Sequence, residues 1–300
     1  MLKIELIQSN QSKKLIDNAK LASMNIDQLK TVLELNRTHH FKKTADTLFV
    51  TQSTVSARLN TIEAELGCKL FNRTSRTVEL TAAGKRFLGH AQSIMAVWRR
   101  AQQEAVSDDH QTPMLAVGGL FILWDIILLD WLERLHLKFP NLNLVAESHD
   151  HAFLIRQLLD GALDLIFMFE PPQLAELIVK KTVAVPLTLV SSKPNQDCDT
   201  AISEDYIMVD WGDDFLLEHS RRFTEHYPAT RRVNQSRLAL KLILSDGGAA
   251  YLAKQAVEPY VQNKSLYEVT DAPILERQVY AVYLRQSSNV QFINQSLTFF

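Results

Sequence analysis

One short polar segment carries the side chains best suited to recognising another polar surface. Gln52, Ser53 and Ser56 fall on one side of residues 51–66, where a surface helix ordinarily carries long charged side chains. Small hydroxyls and an amide can come close to a polar surface and hydrogen-bond to base edges in the major groove of DNA. The spacing therefore predicts a helix whose N-terminal half contacts DNA bases.

Basic side chains on both sides of this segment could hold the DNA backbone. Lys42 and Lys43 precede it, and Arg73 and Arg76 follow it within a polar turn. Lysines at a helix start suit phosphate oxygens, although each lysine alone fits a solvated surface equally well. Arginines at a hairpin tip can enter a minor groove, where the potential is negative. Three further residues of the polar helix complete the candidate DNA-binding set: Thr51, Thr54 and Arg58.

The chain offers no comparable set of residues for catalysis or for a resident cofactor. It contains no glycine-rich phosphate loop, nucleophile elbow or HExxH motif. His149 and His151 have one residue between them and no cysteine nearby, so structural histidines are favoured over metal ligands. We therefore predict that the protein is not an enzyme and needs no cofactor or metal.

The elements around the polar segment are predicted from caps and periodicity. Asn25 and Gln28 form a capping box for a first helix over about 26–37. A second helix contains Thr44, Ala45 and Leu48, and Phe49-Val50 turn into the third helix, which Thr51 caps. Its buried face and its end are predicted from Val55, Leu59, Ile62, Leu66 and Gly67. Two short strands, 70–71 and 78–80, then complete a winged helix-turn-helix.

Charge is distributed unevenly along the chain. Residues 25–106 hold 12 lysines and arginines against 7 aspartates and glutamates, whereas residues 107–300 hold 16 against 25. A basic first part on an acidic remainder indicates a polyanionic partner for the first part only, unless the distribution is fortuitous.

A heptad pattern follows the predicted wing. Apolar residues recur at alternating steps of four and three along residues 82–106, namely Phe87, Ala91, Ile94, Trp98, Ala101 and Ala105. Such a seam fits packing against the protein's own body, or the coiled coil of a dimer that binds two half-sites. Because the helix directly follows a DNA-binding unit, we expect self-association through the residues from Phe87 to Ala101.

These features together resemble the LysR-type transcriptional regulators. The resemblance covers about 24–110 and is carried by Leu29, Phe41, Ala45, Leu48, residues 51–56, Ile62-Glu63, Leu66-Gly67, Leu70-Phe71, Arg73 and residues 80–84. It implies base contacts by Gln52, Ser53 and Ser56, and a wing contact by Arg76. The family often has arginine at position 57, where this chain has Ala57, which puts one contact in doubt. Trp98, Trp124, Trp131 and residues 211–215 further resemble an enteric subgroup that represses the flagellar master operon.

The remainder alternates predicted strands and helices, as in an α/β domain. Strands at 115–118, 142–147 and 163–169 alternate with helices at 124–138 and 153–159, which predicts a parallel lobe. A second lobe is expected from about Ser191 to Pro273. The resemblance implies a two-lobed, periplasmic-binding-protein-like effector domain, with Gly119 and His151 as candidate effector contacts. Many family members have serine or threonine after the first strand, so Gly118-Gly119 makes a carboxylate effector less certain here.

The predicted organisation has five parts. They are an extension or flexible tail (1–23), the winged helix-turn-helix (24–81), a dimerising linker helix (82–107), a hinge (108–113) and the effector domain (114–300). We expect a homodimer or homotetramer that binds double-stranded DNA under the control of a small-molecule effector. Cys68 and Cys198 are far apart and belong to no paired motif, which favours a reduced cytoplasmic protein. The sequence contains no run of ~20 apolar residues, so no membrane span is expected. The alternative is a cytoplasmic small-molecule-binding α/β protein or enzyme with a helical association module.

Overall fold

The computed structural model describes residues 24–73, 78–106, 114–223, 229 and 231–300. The chain divides into two compact units, residues 1–106 and 107–300. The predicted extension 1–23, the hinge 108–113 and the wing tip with Arg76 lie outside the described residues. Within those residues, no helix combines the length and the apolar character needed to cross a membrane.

The first unit contains three short helices, a two-stranded wing and a long helix. In chain order these are α1 (Ile26–Thr38), α2 (Phe41–Thr47), α3 (Gln52–Leu66), β1 (Phe71–Arg73), β2 (Val78–Leu80) and α4 (Ala82–Val106). The predicted capping box is confirmed, because the side chains of Asn25 and Gln28 each accept the other's backbone N–H at 3.0 Å. Gly67 ends α3 with φ 66°, a left-handed conformation that a glycine adopts at little cost.

The hydrophobic core of this unit contains residues from α1, α3, the wing and α4. Its buried apolar members are Leu29, Val32, Leu35, Leu59, Ile62, Leu70, Phe71, Val78 and Ala91. The prediction that Leu66 is buried was wrong, because Leu66 is 43% exposed. The chain turns away at Gly67, so the last turn of α3 has no apolar neighbour to cover Leu66. Glu63, one turn earlier, is buried instead.

The described part of the second unit contains nine strands and several helices. The strands are β3 (Met114–Gly119), β4 (Asn143–Ser148), β5 (Leu165–Met168), β6 (Leu177–Ser191), β7 (Ile207–Val209), β8 (Arg231–Val233), β9 (Ala249–Ala253), β10 (Tyr267–Glu268) and β11 (Leu275–Leu284). The helices are α5 (Phe121–Leu123), α6 (Leu129–Lys138), α7 (His151–Leu159), α8 (Cys198–Ser203), α9 (Asp213–Arg222), α10 (Ser236–Asp246), α11 (Lys254–Gln262) and α12 (Val290–Ser296), followed by a 3-10 turn, Leu297–Phe299.

One mixed sheet connects the two halves of this unit. In the described part of the unit, the sheet has seven strands. Six of them follow the order β10-β6-β11-β5-β3-β4, and the seventh, β9, pairs with β6. The predicted parallel pairing holds for β4, β3 and β5, but β11 joins β5 antiparallel. The predicted second lobe between Ser191 and Pro273 is therefore only partly separate, since β9 and β10 pair with the long strand β6. A small parallel pair, β7 and β8, forms a second sheet beside β9, and one bridge from Tyr206 to Ala249 joins the two.

The helix predicted for 124–138 is interrupted. Residues Trp124–Leu128 form a π-helical segment between α5 and α6. The side chain of Gln255 donates a hydrogen bond to the carbonyl oxygen of Ile126. A π segment leaves backbone groups without their ordinary helical partners, and this side chain supplies one from outside the helix.

Candidate DNA-binding surface and effector cleft

A hydroxyl network fixes the N-terminus of α3. Oγ1 of Thr51 accepts the backbone N–H of Thr54 at 3.2 Å and lies 2.8 Å from the hydroxyls of Ser53 and Thr54. Gln52 and Ser53 are exposed and Ser56 is half-buried. Gln52 and Ser56 make no side-chain hydrogen bond within the part of the chain that the structure describes. Thr51 and Thr54 thus hold the helix end, and Gln52, Ser53 and Ser56 present hydrogen-bonding groups.

A tight turn places α2 directly before this surface. The backbone N–H of Val50 donates to the carbonyl of Ala45 at 3.0 Å, and Phe49 has φ 54°. Ala45 is buried, so its small side chain allows α2 and α3 to approach closely. The ring of Phe49 is 95% exposed. The helix-turn-helix predicted from the sequence is therefore present.

Lys42 and Lys43 are exposed at the first turn of α2. Neither lysine has an ion pair among the described residues. Nδ1 of His40 accepts the backbone N–H of Lys42 at 3.1 Å and caps the helix. Unpaired ammonium groups beside a helix N-terminus suit phosphate oxygens.

Arg58, near the middle of α3, forms an ion pair with a residue of α1. Its Nη2 donates to Oδ2 of Asp27 on α1 at 2.7 Å, and the arginine is only partly exposed. This contact restrains α3 against α1, so the structure assigns Arg58 a positioning contact that the sequence did not indicate. The neighbouring Ala57 is exposed and contributes no polar group.

The wing is held by a buried carboxylate on the recognition helix α3. Oε1 of Glu63 accepts the backbone N–H groups of Leu70 (2.9 Å) and Phe71 (3.3 Å), and its Oε2 lies 2.7 Å from Nζ of Lys69. The strands pair antiparallel from Phe71–Leu80 to Arg73–Val78. The backbone of Arg73 is thereby placed in β1, whereas Arg76 lies outside the described residues. Sequence reasoning placed Glu63 in the family pattern but missed this role.

The predicted seam on α4 divides into two parts. Ala91 is fully buried and Phe87 half-buried in the core of the first unit. Ile94 and Trp98 are 38% and 42% exposed, and Ala101 is exposed. The first part of the seam, Phe87 and Ala91, packs within the first unit. The later part, from Ile94 to Ala101, is exposed to solvent in a single chain.

A cleft of about 500 Å³ lies in the second unit. Its lining includes the ends of β3 and β5, the start of α7 and the loop before α9: Leu120, Phe121, Ile122, His149, Asp150, His151, Phe169, Glu170, Asp210, Gly212, Asp213 and Asn234. His151 is thus in the cleft, and its Nε2 lies 2.6 Å from the carbonyl oxygen of Glu170. Gly119 is not in the lining, and a Cβ there would come within 2.4 Å of Leu128 and 2.9 Å of Trp124. Gly119 therefore allows close packing, and its neighbour Leu120 reaches the cleft.

Each histidine of the pair lies against an oxygen atom of its own domain. Nε2 of His149 lies 2.9 Å from Oε2 of Glu147, and the described residues contain no group of three metal-ligating side chains. Both histidines are instead engaged by oxygen atoms of their own domain.

Two protein-family models match this chain. The model of the bacterial regulatory helix-turn-helix proteins of the lysR family matches residues 26–85, and that of the LysR substrate binding domain matches residues 109–295. The chain belongs to the LysR family of transcriptional regulators. The HTH-type transcriptional regulator HdfR of Yersinia enterocolitica is 32% identical over 283 residues, 91% of this chain and 95% of that protein. The predicted resemblance to an enteric subgroup of the family is confirmed, because curated relatives of this chain carry the name HdfR.

Solved structures agree on the fold of this LysR-family chain. CbnR, a LysR family transcriptional regulator, superposes with a TM-score of 0.74 at 15% identity, covering 92% of this chain and 98% of CbnR. Full-length CbnR in complex with its target DNA gives 0.71 at 17% identity, covering 91% and 100%. The predicted fold class and the predicted regulatory function are confirmed. The relatives are regulators rather than enzymes, so the enzymatic alternative is without support.

Proposed function

We propose that this regulator recognises its operator through the exposed polar start of α3. The supporting observation is that Thr51 and Thr54 hold the helix end, whereas the side chains of Gln52 and Ser56 make no hydrogen bond among the described residues. Ser53 is exposed, and its hydroxyl, 2.8 Å from Oγ1 of Thr51, has a further hydrogen-bonding position for a base edge. An amide can pair with the N6 and N7 atoms of adenine, and a hydroxyl with either a donor or an acceptor. Gln52, Ser53 and Ser56 therefore supply sequence preference.

Phosphate contacts supply most of the affinity in this proposal. Lys42 and Lys43 are exposed without ion pairs among the described residues, and Arg73 ends the wing strand β1. Arg76, which the sequence predicts at the wing tip, lies outside the described residues. Cations that neutralise phosphates release counterions, so the affinity falls steeply as salt rises. Arg58 contributes indirectly, because it holds α3 through Asp27.

The proposed assembly is a dimer, or a tetramer built from two dimers, in the cytoplasm, where bacterial DNA lies. In this proposal residues 24–81 bind DNA, residues 82–107 pair two chains and residues 114–300 bind an effector in the cleft. The predicted hinge, 108–113, lies outside the described residues. The exposed apolar face of α4 (Ile94, Trp98 and Ala101) supports the pairing. Two paired winged units would contact two half-sites, which predicts a partly palindromic operator.

Selection from a genomic fragment library tests this proposal. The purified chain is incubated with the library at moderate salt, and the bound fragments are sequenced. We expect enrichment of a few fragments that share an interrupted palindrome. No enrichment at any salt concentration, with or without a metabolite mixture, would favour a small-molecule-binding protein with an association module.

A further inference from the structure

A buried arginine lies against the effector cleft and is held by a glutamate of the cleft lining. Arg277 on β11 is only 6% exposed, and its Nη2 donates to Oε1 of Glu170 at 2.6 Å. Its Cζ lies 5.0 Å from the ring centroid of Phe169. A cation so far from water requires a nearby anion, because leaving it unpaired is costly. Glu170 provides the nearer anion from the loop after β5, and Oδ2 of Asp214 lies 3.8 Å from Nη1 of the same guanidinium.

The backbone next to Arg277 also favours an anion at the same point. The N–H of Asp214, in the first turn of α9, donates to the same Oε1 of Glu170 at 3.0 Å. A helix N-terminus adds partial positive charge there. Gly212 has φ 94°, and a Cβ at this position would lie 2.5 Å from Oε1 of Glu170 and 2.9 Å from Nη2 of Arg277. The backbone at Gly212 therefore packs so closely against the Glu170 carboxylate that a side chain there would clash with it.

We propose that Arg277, the N–H of Asp214 and Gly212 form a carboxylate-binding subsite that the chain fills with its own Glu170. Glu170 follows β5, and Asp214 belongs to α9, beyond the long strand β6. The tethered carboxylate thus joins the first half of the domain to the second, as a bound ligand would. An external carboxylate is excluded from the subsite while Glu170 occupies it.

The guanidinium retains a donor for an external carboxylate. Nε of Arg277 has no hydrogen-bond partner among the described residues. Nε and Nη2 share one edge of the guanidinium, and this edge matches the two oxygens of a carboxylate. Glu170 uses one oxygen, Oε1, for both Arg277 and Asp214. A small free carboxylate can bind by the full edge once Glu170 is removed.

The rest of the cleft lining disfavours anions elsewhere. Asp150, Asp210 and Asp213 are in the lining, which contains no lysine or arginine among the described residues. Oδ1 of Asp210 accepts the backbone N–H of Gly212 at 3.1 Å, so this carboxylate holds the loop of the subsite and adds negative charge to the lining. A carboxylate that enters this domain is therefore expected at the Arg277 subsite and at no second point in the cleft.

Chemical rescue of Glu170→Ala in the full chain tests the proposal. We expect the melting temperature to fall by about 5 °C, because a buried cation loses its hydrogen-bonded carboxylate and keeps only the more distant one of Asp214. Sodium acetate, which has the size of the CH2–COO− group that is removed, should restore several degrees to Glu170→Ala and leave the wild type unchanged, relative to sodium chloride at equal ionic strength. Asp150→Ala removes a different carboxylate of the cleft lining, one that accepts the backbone N–H of Phe153 at 2.9 Å, and should not respond to acetate. A folded Glu170→Ala variant with no acetate response would overturn the proposal.

A double-mutant cycle keeps the proposal testable if Glu170→Ala fails to fold. The melting temperatures of Glu170→Gln, Arg277→Met and the double variant are compared with that of the wild type. We expect the double variant to lose clearly less than the sum of the single losses. Additive losses would reject the pairing. The regulatory meaning of the subsite rests on the proposed effector cleft, but neither readout involves DNA, so operator binding is tested separately.

Discussion

At the residue scale, Glu63 connects the recognition helix to the wing. Its carboxylate is buried and accepts the backbone N–H groups of Leu70 and Phe71. In Glu63→Ala these donors lose their acceptor, at a cost of about 1–3 kcal/mol for each group left unsatisfied. We expect faster hydrogen exchange in peptides that cover residues 69–73. Glu65→Ala, on an exposed position of the same helix, is the matched control, and equal exchange in the two variants would contradict this role.

The two cysteines differ in environment and should differ in reactivity. Cys68 is exposed, whereas Cys198 is buried, and burial together with nearby Asp271, Asp199 and Asp197 raises the pKa of its thiol to about 11. Because the raised pKa lies above pH 8, only about one in a thousand Cys198 side chains is a thiolate at that pH. Titration of the folded chain with a disulfide reagent at pH 8 should modify one thiol rapidly. Cys68→Ser should abolish that rapid phase, and rapid modification of Cys198 would contradict the assignment.

At the scale of elements, α4 contains the face through which we propose that two chains associate. Ile94 and Trp98 are exposed and apolar, whereas Ala91 is already covered within the chain. Trp98→Ala should weaken dimerisation about 30-fold or more, because a central tryptophan in an interface typically contributes ~2 kcal/mol. Sedimentation equilibrium over a concentration series measures this change. Gln92→Ala, at an exposed polar position on a different side of α4, should leave the dissociation constant unchanged. Equal constants for both variants would contradict the proposed face.

Local signals explain why the first unit was largely predictable. The capping box at Asn25, the cap at Thr51 and the glycine at Gly67 act within a few residues of each element end. The exposed start of α3 was predictable from the cap at Thr51, which makes Gln52 and Ser53 the first residues of the helix. Periodicity alone would place Gln52 on the side of Leu59, seven residues later. The exposure of Leu66 was not predictable, since it depends on whether another element covers the last turn.

Non-local contacts explain what the sequence did not predict. The roles of Glu63, Arg58 and Glu170 each depend on a partner that is distant in the chain or belongs to the backbone of another element. The π segment at Trp124–Leu128 has its external donor at Gln255, well over a hundred residues later. The pairing of β9 and β10 with β6 likewise arises only when the whole domain has folded.

At the scale of the whole molecule, the uneven charge agrees with a regulator that binds DNA at one end. Residues 25–106 carry a net charge of +5 and residues 107–300 one of −9. In the proposed function, the positive part attracts DNA without regard to sequence, and the polar start of α3 distinguishes the operator from other DNA. This proposal places affinity and discrimination in different residues, so mutation should separate the two.

The most direct test of that separation compares wild type with Gln52→Ala/Ser56→Ala on a selected operator and on unrelated DNA. The ratio of the two affinities is measured over a salt series, with Thr61→Ala on the same helix as the control. We expect the double variant to lose discrimination on the order of 10–100-fold for each lost base contact. Its affinity for unrelated DNA and the dependence of that affinity on salt should match the wild type. An unchanged ratio would contradict the assignment of α3 as the surface that recognises sequence.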